Sequence, residues 1–411
     1  MNDKEGNINA LIEALSREGD VILLESQKED HPESKTSFLA GRPKAWIKAD
    51  GGKTYVFENG NKTEREGNIW EQLLAFRKRN EGWLFGYLGY DLKNSLEDLQ
   101  SENSELISAP DMYFMVPDYL EEFSFNKSSE MENRSGFELQ EKNRIDKEDY
   151  ISRVVEAKKL IGEGDFYEIN LSHALEFDFS GNPLELYGAM KGKGSVPFGA
   201  YLSIGDLSIC CSSPERFLRR KANKVISQPI KGTISRNGIA GDEKLRLLHS
   251  EKNRAENLMI VDLVRNDLSR VAKNGSVNVQ KLFEIQSFET LHQMVSTVEC
   301  EVSSETDSLE IIKSCFPMGS MTGAPKIAAM QSIEEFEDYK RGIYSGAIGY
   351  IAPNGDFDFN VVIRTAIIQN QRLVYPVGGA ITADSVPEEE WQETLVKAKA
   401  LTTLIPNYKN E

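Results

Sequence analysis

The chain has 411 residues, 40% of them apolar and 27% charged, with a formal net charge of −17. That length allows one large domain or two to three ordinary ones, and the apolar fraction allows a large core. The negative field disfavours nucleic acid and membrane as partners, no apolar run approaches the roughly 20 residues that span a bilayer, and the N-terminus lacks a signal-peptide pattern, so a cytoplasmic protein is expected.

Asp20–Ser26 (DVILLES) and Lys53–Asn59 (KTYVFEN) read as strands. Gly82–Leu92 (GWLFGYLGYDL) alternates aromatics and glycines, which predicts a buried strand with close backbone approaches. Asn126–Lys147 is polar and nearly free of β-branched residues, so it reads either as a solvated connection between two parts or as a surface loop. Taken as a connection, it divides the chain into residues 1–125, a linker 126–147 and a larger region 148–411.

The segment from Lys147 begins as a helix: Ile151, Val154 and Val155 keep a 3.6-residue period, and Gly162 with Gly164 closes it. Phe166–Phe177 is a strand, and Gly199–Thr233 is a series of β-runs punctuated by glycine and proline. Lys244–Val271 contains neither glycine nor proline before Val271 and reads as one long helix. Another helix follows Met321, with Pro325 suited to its first turn. Ile343–Ile381 is a strand meander with an Asn354-Gly355 hairpin turn, and a last helix runs from about Pro387 to Leu404. Meandering strands mixed with a few long helices indicate an α+β fold. Cys210, Cys211, Cys300 and Cys315 show no CxxC spacing and are expected to be buried thiols.

Several constellations could carry chemistry. On the last helix, Ser385 and Glu388 have capping-box spacing, while Glu390 and Glu393 share a face. Those glutamates either complement the helix dipole or offer hard oxygen ligands to Mg²⁺. Glu256 precedes an apolar run with Ile260 and Leu263 on its own face; it is either salt-bridged or a further ligand. Phe316–Lys326 (FPMGSMTGAPK) departs from P-loop spacing, but its glycine-rich turn and hydroxyls suit an anion. Arg364 lies among apolar residues and needs an anionic partner, from a salt bridge or a substrate. Glu215 (SSPERFL) and Lys231 (SQPIKGT) sit beside prolines in β-rich sequence. Each is structural or, as a general acid–base and an amine nucleophile, catalytic. Burial or a nearby cation would move that lysine toward its neutral form.

Eight stretches occur in an order that resembles the chorismate-utilising enzymes: GDFYEINLS, SSPERFL, QPIKGT, KNRAENLMIVDLVRND, FPMGSMTGAPK, RGIYSGAIGYI, DFNVVIRTA and GGAITADSVPEEEWQET. The resemblance spans about Asp149 to Leu404 and implies two large β-sheets packed as a sandwich, with helices outside and a need for Mg²⁺. Anthranilate-forming members read PIAGT, whereas the PIKGT form resembles the members that aminate chorismate at C4, giving 4-amino-4-deoxychorismate on the route to 4-aminobenzoate and folate. The resemblance makes Lys231 the nucleophile at C2 and Glu215 the general acid–base. It makes Glu256 and Glu393 the Mg²⁺ ligands with Glu390 in support. Tyr344, Arg364 and the backbone of Gly378, Gly379 and Ala380 would hold a carboxylate, and Ser320 would lie near the enolpyruvyl group. Glu168 stands on the nucleophile side where ammonia-using members carry glutamine and water-using members lysine. Asn253 replaces an acidic residue, and Gln293 replaces a histidine. The NPSPYM pattern tied to tryptophan feedback is also absent, so no inhibition by tryptophan is expected. No cysteine lies in a glutaminase-type elbow, so ammonia is expected from solution or from a separate glutamine amidotransferase subunit. The alternatives are an anthranilate-forming enzyme and a non-catalytic, Mg²⁺-dependent chorismate binder.

Overall fold

The computed structural model describes residues 3–27, 36–124, 136–235, 242–287 and 291–408. Helix α1 (Asp3–Ser16) leads into β1 (Val21–Glu25) and the long β2 (Ser37–Asp50), followed by β3 (Lys53–Glu58) and β4 (Asn61–Arg65). Helix α2 (Ile69–Arg79) is capped by the Asn68 side chain, which accepts from the Trp70 and Glu71 amides. Then come β5 (Leu84–Leu88), β6 (Met112–Phe123), β7 (Phe137–Asn143), α3 (Lys147–Glu163) and β8 (Glu168–Gly181). Next are α4 (Pro183–Gly192), β9 (Phe198–Ile204), β10 (Leu207–Ser213), β11 (Arg216–Lys221), β12 (Lys224–Gln228) and β13 (Ile230–Ser235). Helices α5 (Asp242–Leu248) and α6 (Glu251–Ser269) precede β14 (Asn278–Ser287), β15 (Leu291–Glu301) and α7 (Ser308–Cys315). The chain closes with β16 (Gly323–Ala324), α8 (Lys326–Phe336), β17 (Ala347–Ile351), β18 (Phe357–Asn360), β19 (Thr365–Gln369), β20 (Arg372–Ile381) and α9 (Pro387–Thr402).

One sheet follows the pairing order β7, β8, β20, β19, β10, β9, β1, β2. The other runs β14, β15, β12, β11, β18, β17, β5, β6, β2. Strand β2 belongs to both. Its first half pairs with β1 and its second with β3; between them Arg42 takes φ 52° and the register shifts, so the strand bends. On the opposite side β10 runs on into β11 and β18 into β19, so the two sheets are joined along both edges and the ring closes. The expected α+β sandwich is present, fused at its margins.

Inside the ring, Ile22, Phe38, Phe85, Tyr87, Ile348 and Ile367 pack between the sheets. Each such side chain, fully buried, contributes about 1.5–3 kcal/mol. The helices lie outside. Helices α6 and α7 bring Ile260, Val264 and Ile311 onto Phe217, Val298 and Phe359. Helices α3, α8 and α9 pack Tyr150, Ile333 and Trp391 around Ile169 and Leu171 of β8. All four cysteines are buried, as expected.

The GWLFGYLGYDL stretch supplies β5, and a Cβ on Gly86 would stand 1.9 Å from the Tyr113 carbonyl oxygen, so only glycine fits that approach. Gly164 ends α3 with φ 95°, and Asn354-Gly355 turns β17 into β18. Two local expectations need correction. The long helix expected over Lys244–Val271 is two helices, because Ser250 leaves helical geometry and its hydroxyl accepts from the Asn253 amide at 3.4 Å, starting α6 afresh. The Ser385 hydroxyl does not cap α9; it accepts from the Thr382 amide at 3.1 Å, and Val386 takes the cap position. Of the polar stretch Asn126–Lys147, residues 126–135 lie outside the described residues; Phe137–Asn143 pairs with β8 as a mostly exposed edge strand, which explains its polarity. Among the described residues no helix is long and apolar enough to cross a membrane.

Candidate active site

Lys231 points into the molecule because of a backbone irregularity. Strand β13 pairs with β15 at Ile230–Val295 and again at Thr233–Gln293, with a register shift between them. Gly232 occupies that bulge with φ 86°, and a Cβ there would meet the Asn253 side chain at 2.8 Å. Asn253 therefore supports the bulge beneath the lysine. Gln293 is also adjacent, its side-chain amide donating to the Thr233 hydroxyl at 3.4 Å.

The ammonium of Lys231 donates to Oε1 of Glu168 on β8 at 2.6 Å, and both residues are buried. Burial pulls the lysine toward its neutral form, but the charges of Glu168, Glu256 and Glu215 outweigh it and raise its pKa above the ordinary value. The expectation of a lysine made neutral by its surroundings is thus reversed: in the substrate-free protein it is an ammonium. The second oxygen of Glu168, Oε2, is buried with no hydrogen-bond partner among the described residues.

Glu215 sits between β10 and β11, after Pro214 interrupts the strand. Its amide donates to the Ser213 hydroxyl at 3.2 Å, and its carbonyl accepts from the Val361 amide at 3.0 Å. Burial pushes its carboxyl up to about 7, against the Ser320 hydrogen bond, the Lys231 charge and the Ile230 amide. Glu215 and Ser320 both border a small pocket that extends toward Val264, Asp267 and Cys315.

Glu256 on α6 is buried, and burial likewise raises its carboxyl to about 7, with Lys231 opposing and Glu168 adding to the shift. Its Oε1 has no hydrogen-bond partner among the described residues; the Lys252 ammonium stands 3.9 Å away. Lys252 instead bonds Glu390 at 2.7 Å, and Lys397 bonds Glu393 at 2.7 Å, lowering the Glu393 pKa. Glu390 and Glu393 flank Gly379: a Cβ on that glycine would lie 3.6 Å and 3.4 Å from their oxygens. Among the described residues no three acidic, imidazole or thiol side chains already converge as a metal site. An orphaned buried carboxylate oxygen beside two further carboxylates, each held by a lysine, nevertheless fits a hard divalent cation that would displace those ammonium groups.

Arg364 takes φ 52° where β18 passes into β19, and it forms no ion pair among the described residues. Burial lowers its pKa, with Tyr375 and Glu215 opposing. A largely desolvated guanidinium lacking a counter-ion is suited to an anionic ligand. Tyr344 lies beyond Tyr375, beside Arg341. Gly378, Gly379 and Ala380 pair with Ser172, Leu171 and Asn170 on one edge of β20. Among the described residues the other edge pairs with β19 only as far as Val374, and the Lys397 ammonium donates to the Gly378 carbonyl at 2.8 Å.

One buried assembly escaped the sequence reading. Arg341 forms a bidentate ion pair with Glu337, and donates to the carbonyls of Met321 and Asn170 at 2.7 Å each. Glu337 in turn accepts from the Ser172 amide and hydroxyl. The pair ties the Ser320 turn to β8 at Asn170 and Ser172, two and four residues from Glu168. The signal was an acid four residues before the arginine of RGIYSGAIGYI, too common a spacing to single out.

A buried lysine–glutamate pair, a second acid near neutrality, an unpaired guanidinium and a cluster of carboxylates define an enzyme cleft for an anionic substrate. The chorismate binding enzyme model matches residues 19–403, and the chain belongs to that family. It is 39% identical over 329 residues to a probable aminodeoxychorismate synthase, chloroplastic, of Oryza sativa subsp. japonica, covering 77% of this chain but only 36% of that protein. The chain thus spans about a third of that relative's length. It is 32% identical to aminodeoxychorismate synthase component 1 of Bacillus subtilis, covering 92% of this chain and 90% of the relative. Among solved structures, anthranilate synthase component I from Streptococcus pneumoniae superposes with a TM-score of 0.77 at 28% identity, covering 90% of this chain and 93% of that one.

Proposed function

We propose that the chain aminates chorismate, converting it with ammonia to 4-amino-4-deoxychorismate for 4-aminobenzoate and folate synthesis. The observation that carries this reading is Lys231, buried against Glu168 at the position where anthranilate-forming members have alanine. An amine there splits one hard substitution into two easier ones. Lys231 attacks C2 of chorismate, electrons shift through the ring, and the C4 hydroxyl leaves with a proton from Glu215. Ammonia then adds at C4, and the Lys231 amine is expelled from C2.

In this reading Arg364 and Tyr344, with the backbone of Gly378, Gly379 and Ala380, hold one substrate carboxylate. Ser320 orients Glu215 and faces the enolpyruvyl group. Glu256 and Glu393, with Glu390 in support, would hold Mg²⁺, which supplies charge neutralisation for the other carboxylate and Lewis-acid assistance. Ammonia comes from solution or from a glutamine amidotransferase subunit, and the site of action is the cytoplasm.

Incubation with chorismate, Mg²⁺ and ammonium should yield a product that a 4-amino-4-deoxychorismate lyase converts to 4-aminobenzoate. Anthranilate as the product would overturn the proposal in favour of the anthranilate-forming reading. No product at all would favour a chorismate binder. Intact-mass analysis of enzyme trapped during turnover should reveal an adduct that Lys231→Ala lacks.

A further inference from the structure

We infer that Glu168 is the proton acceptor for Lys231, taking the proton when the amine attacks and returning it when the amine is expelled. This deepens the proposed amination and rests on it.

The geometry narrows the choice. Lys231 must lose a proton before its nitrogen lone pair can form a bond, and it begins as an ammonium. Four acidic groups influence it: Glu168 from β8, Glu256 from α6, Glu215 from the β10–β11 connection and Glu393 from α9. Glu168 is its hydrogen-bond acceptor among the described residues, at 2.6 Å. Glu215 is engaged by Ser320 and by the Ile230 amide and has the opposite task, since it must give a proton to the departing hydroxyl. Glu256 and Glu393 belong to the cluster that would hold the cation.

The surroundings of Glu168 suit the exchange. It is 1% exposed, and among the described residues Oε2 has no hydrogen-bond donor and Lys231 is the cation bonded to its carboxylate. Moving the proton across the 2.6 Å bond turns a buried ion pair into a neutral amine and a neutral acid. Low-dielectric surroundings make that exchange far easier than delivering the same proton to water.

The step balances. The Lys231 ammonium gives its proton to the Glu168 carboxylate, and the nitrogen lone pair forms the bond to C2. The C4 oxygen leaves with the C–O electron pair, and Glu215 protonates it to water. The nitrogen joined to C2 is then a secondary ammonium that carries two protons. When ammonia adds at C4, the C2–N bond breaks with its electrons returning to nitrogen. Glu168 then restores the lysine ammonium, and the ammonium formed at C4 passes its extra proton to the Glu215 carboxylate. Both acids end as they began.

The test compares wild type with Glu168→Gln, whose amide oxygen can still accept the lysine hydrogen bond but cannot take its proton. With chorismate, Mg²⁺ and ammonium, kcat should fall by about 10²- to 10³-fold near neutral pH while KM for chorismate changes little. The deficit should shrink as pH rises, because bulk base then deprotonates the lysine. A purely structural role would lower the melting temperature without changing the shape of the pH profile. In a Lys231→Ala background, Glu168→Gln should have almost no further effect, since the two act as a unit. An unchanged kcat and pH profile in Glu168→Gln, with wild type making 4-amino-4-deoxychorismate, would overturn this inference alone. Failure of wild type to make that product would overturn the amination reading, and this one with it.

Discussion

Glu215→Gln should stabilise the protein at alkaline pH while it disables the site. The carboxyl of Glu215 has an ordinary value of 4.5 and is raised to about 7 in the fold, chiefly by burial. Below about pH 4.5 both folded and unfolded chains hold the proton. Between 4.5 and 7 the folded state holds it and the unfolded state does not, so stability falls as pH rises through that window. A shift of this size corresponds to about 3 kcal/mol. Glutamine cannot titrate and escapes that loss. Relative to wild type, the variant should therefore gain about 3 kcal/mol between pH 4 and pH 8, whatever constant offset the amide introduces. For a chain of this length the unfolding entropy makes that about 3 °C in melting temperature. Thermal melts of both proteins across this range, in one buffer series, give the difference. A gap that does not change with pH would mean that Glu215 titrates as an exposed carboxylate, and the reasoning about its burial would fail. The same ionisation bears on catalysis: as a proton donor Glu215 should lose activity about tenfold per pH unit well above 7.

Glu337→Gln should cost about 3–5 kcal/mol, because it leaves the Arg341 guanidinium buried without its partner; chemical denaturation measures it, and a loss near zero would refute the pairing. Gly379→Ala should fold within about 1 kcal/mol of wild type, since its Cβ makes only ordinary contacts. It should nevertheless raise the Mg²⁺ concentration for half-maximal activity about tenfold, as the methyl group enters the space between Glu390 and Glu393; an unchanged Mg²⁺ response would place the cation elsewhere. Lys252→Met should tighten Mg²⁺ binding in calorimetric titration by about fivefold, because the ammonium now bonded to Glu390 competes with the ion; weaker binding would show that the lysine supports the site instead.

The order of elements was largely legible in the sequence because most carry local signals. Hydrophobic period, glycine stops and the Asn354-Gly355 turn are read within a few residues. The split between α5 and α6 was missed because Ser250 sits within an otherwise helical pattern, and its cap is a choice of backbone geometry. In the site, Lys231 and Glu168 could each be named, but their bond joins residues 63 apart through strands β13 and β8. That bond sets the charge of the lysine. Burial alone predicted a neutral amine, and no pattern along the chain announces which carboxylate will face it. Lys252 and Lys397 were hidden for the same reason: as exposed-looking helix lysines they carry no sign that Glu390 and Glu393 lie within reach.

The pairing of β1 with β9 and of β5 with β17 makes the two stretches of the chain mutually dependent. Strands from before residue 125 complete the ring around a cleft whose acids and lysines all come from after residue 148. Neither stretch is a portable module. Expressed alone, the later stretch would show the bare edges of β9 and β17, an invitation to aggregate. Expressed together as two polypeptides, the stretches have the geometry of complementary fragments, each serving as the template on which the other folds.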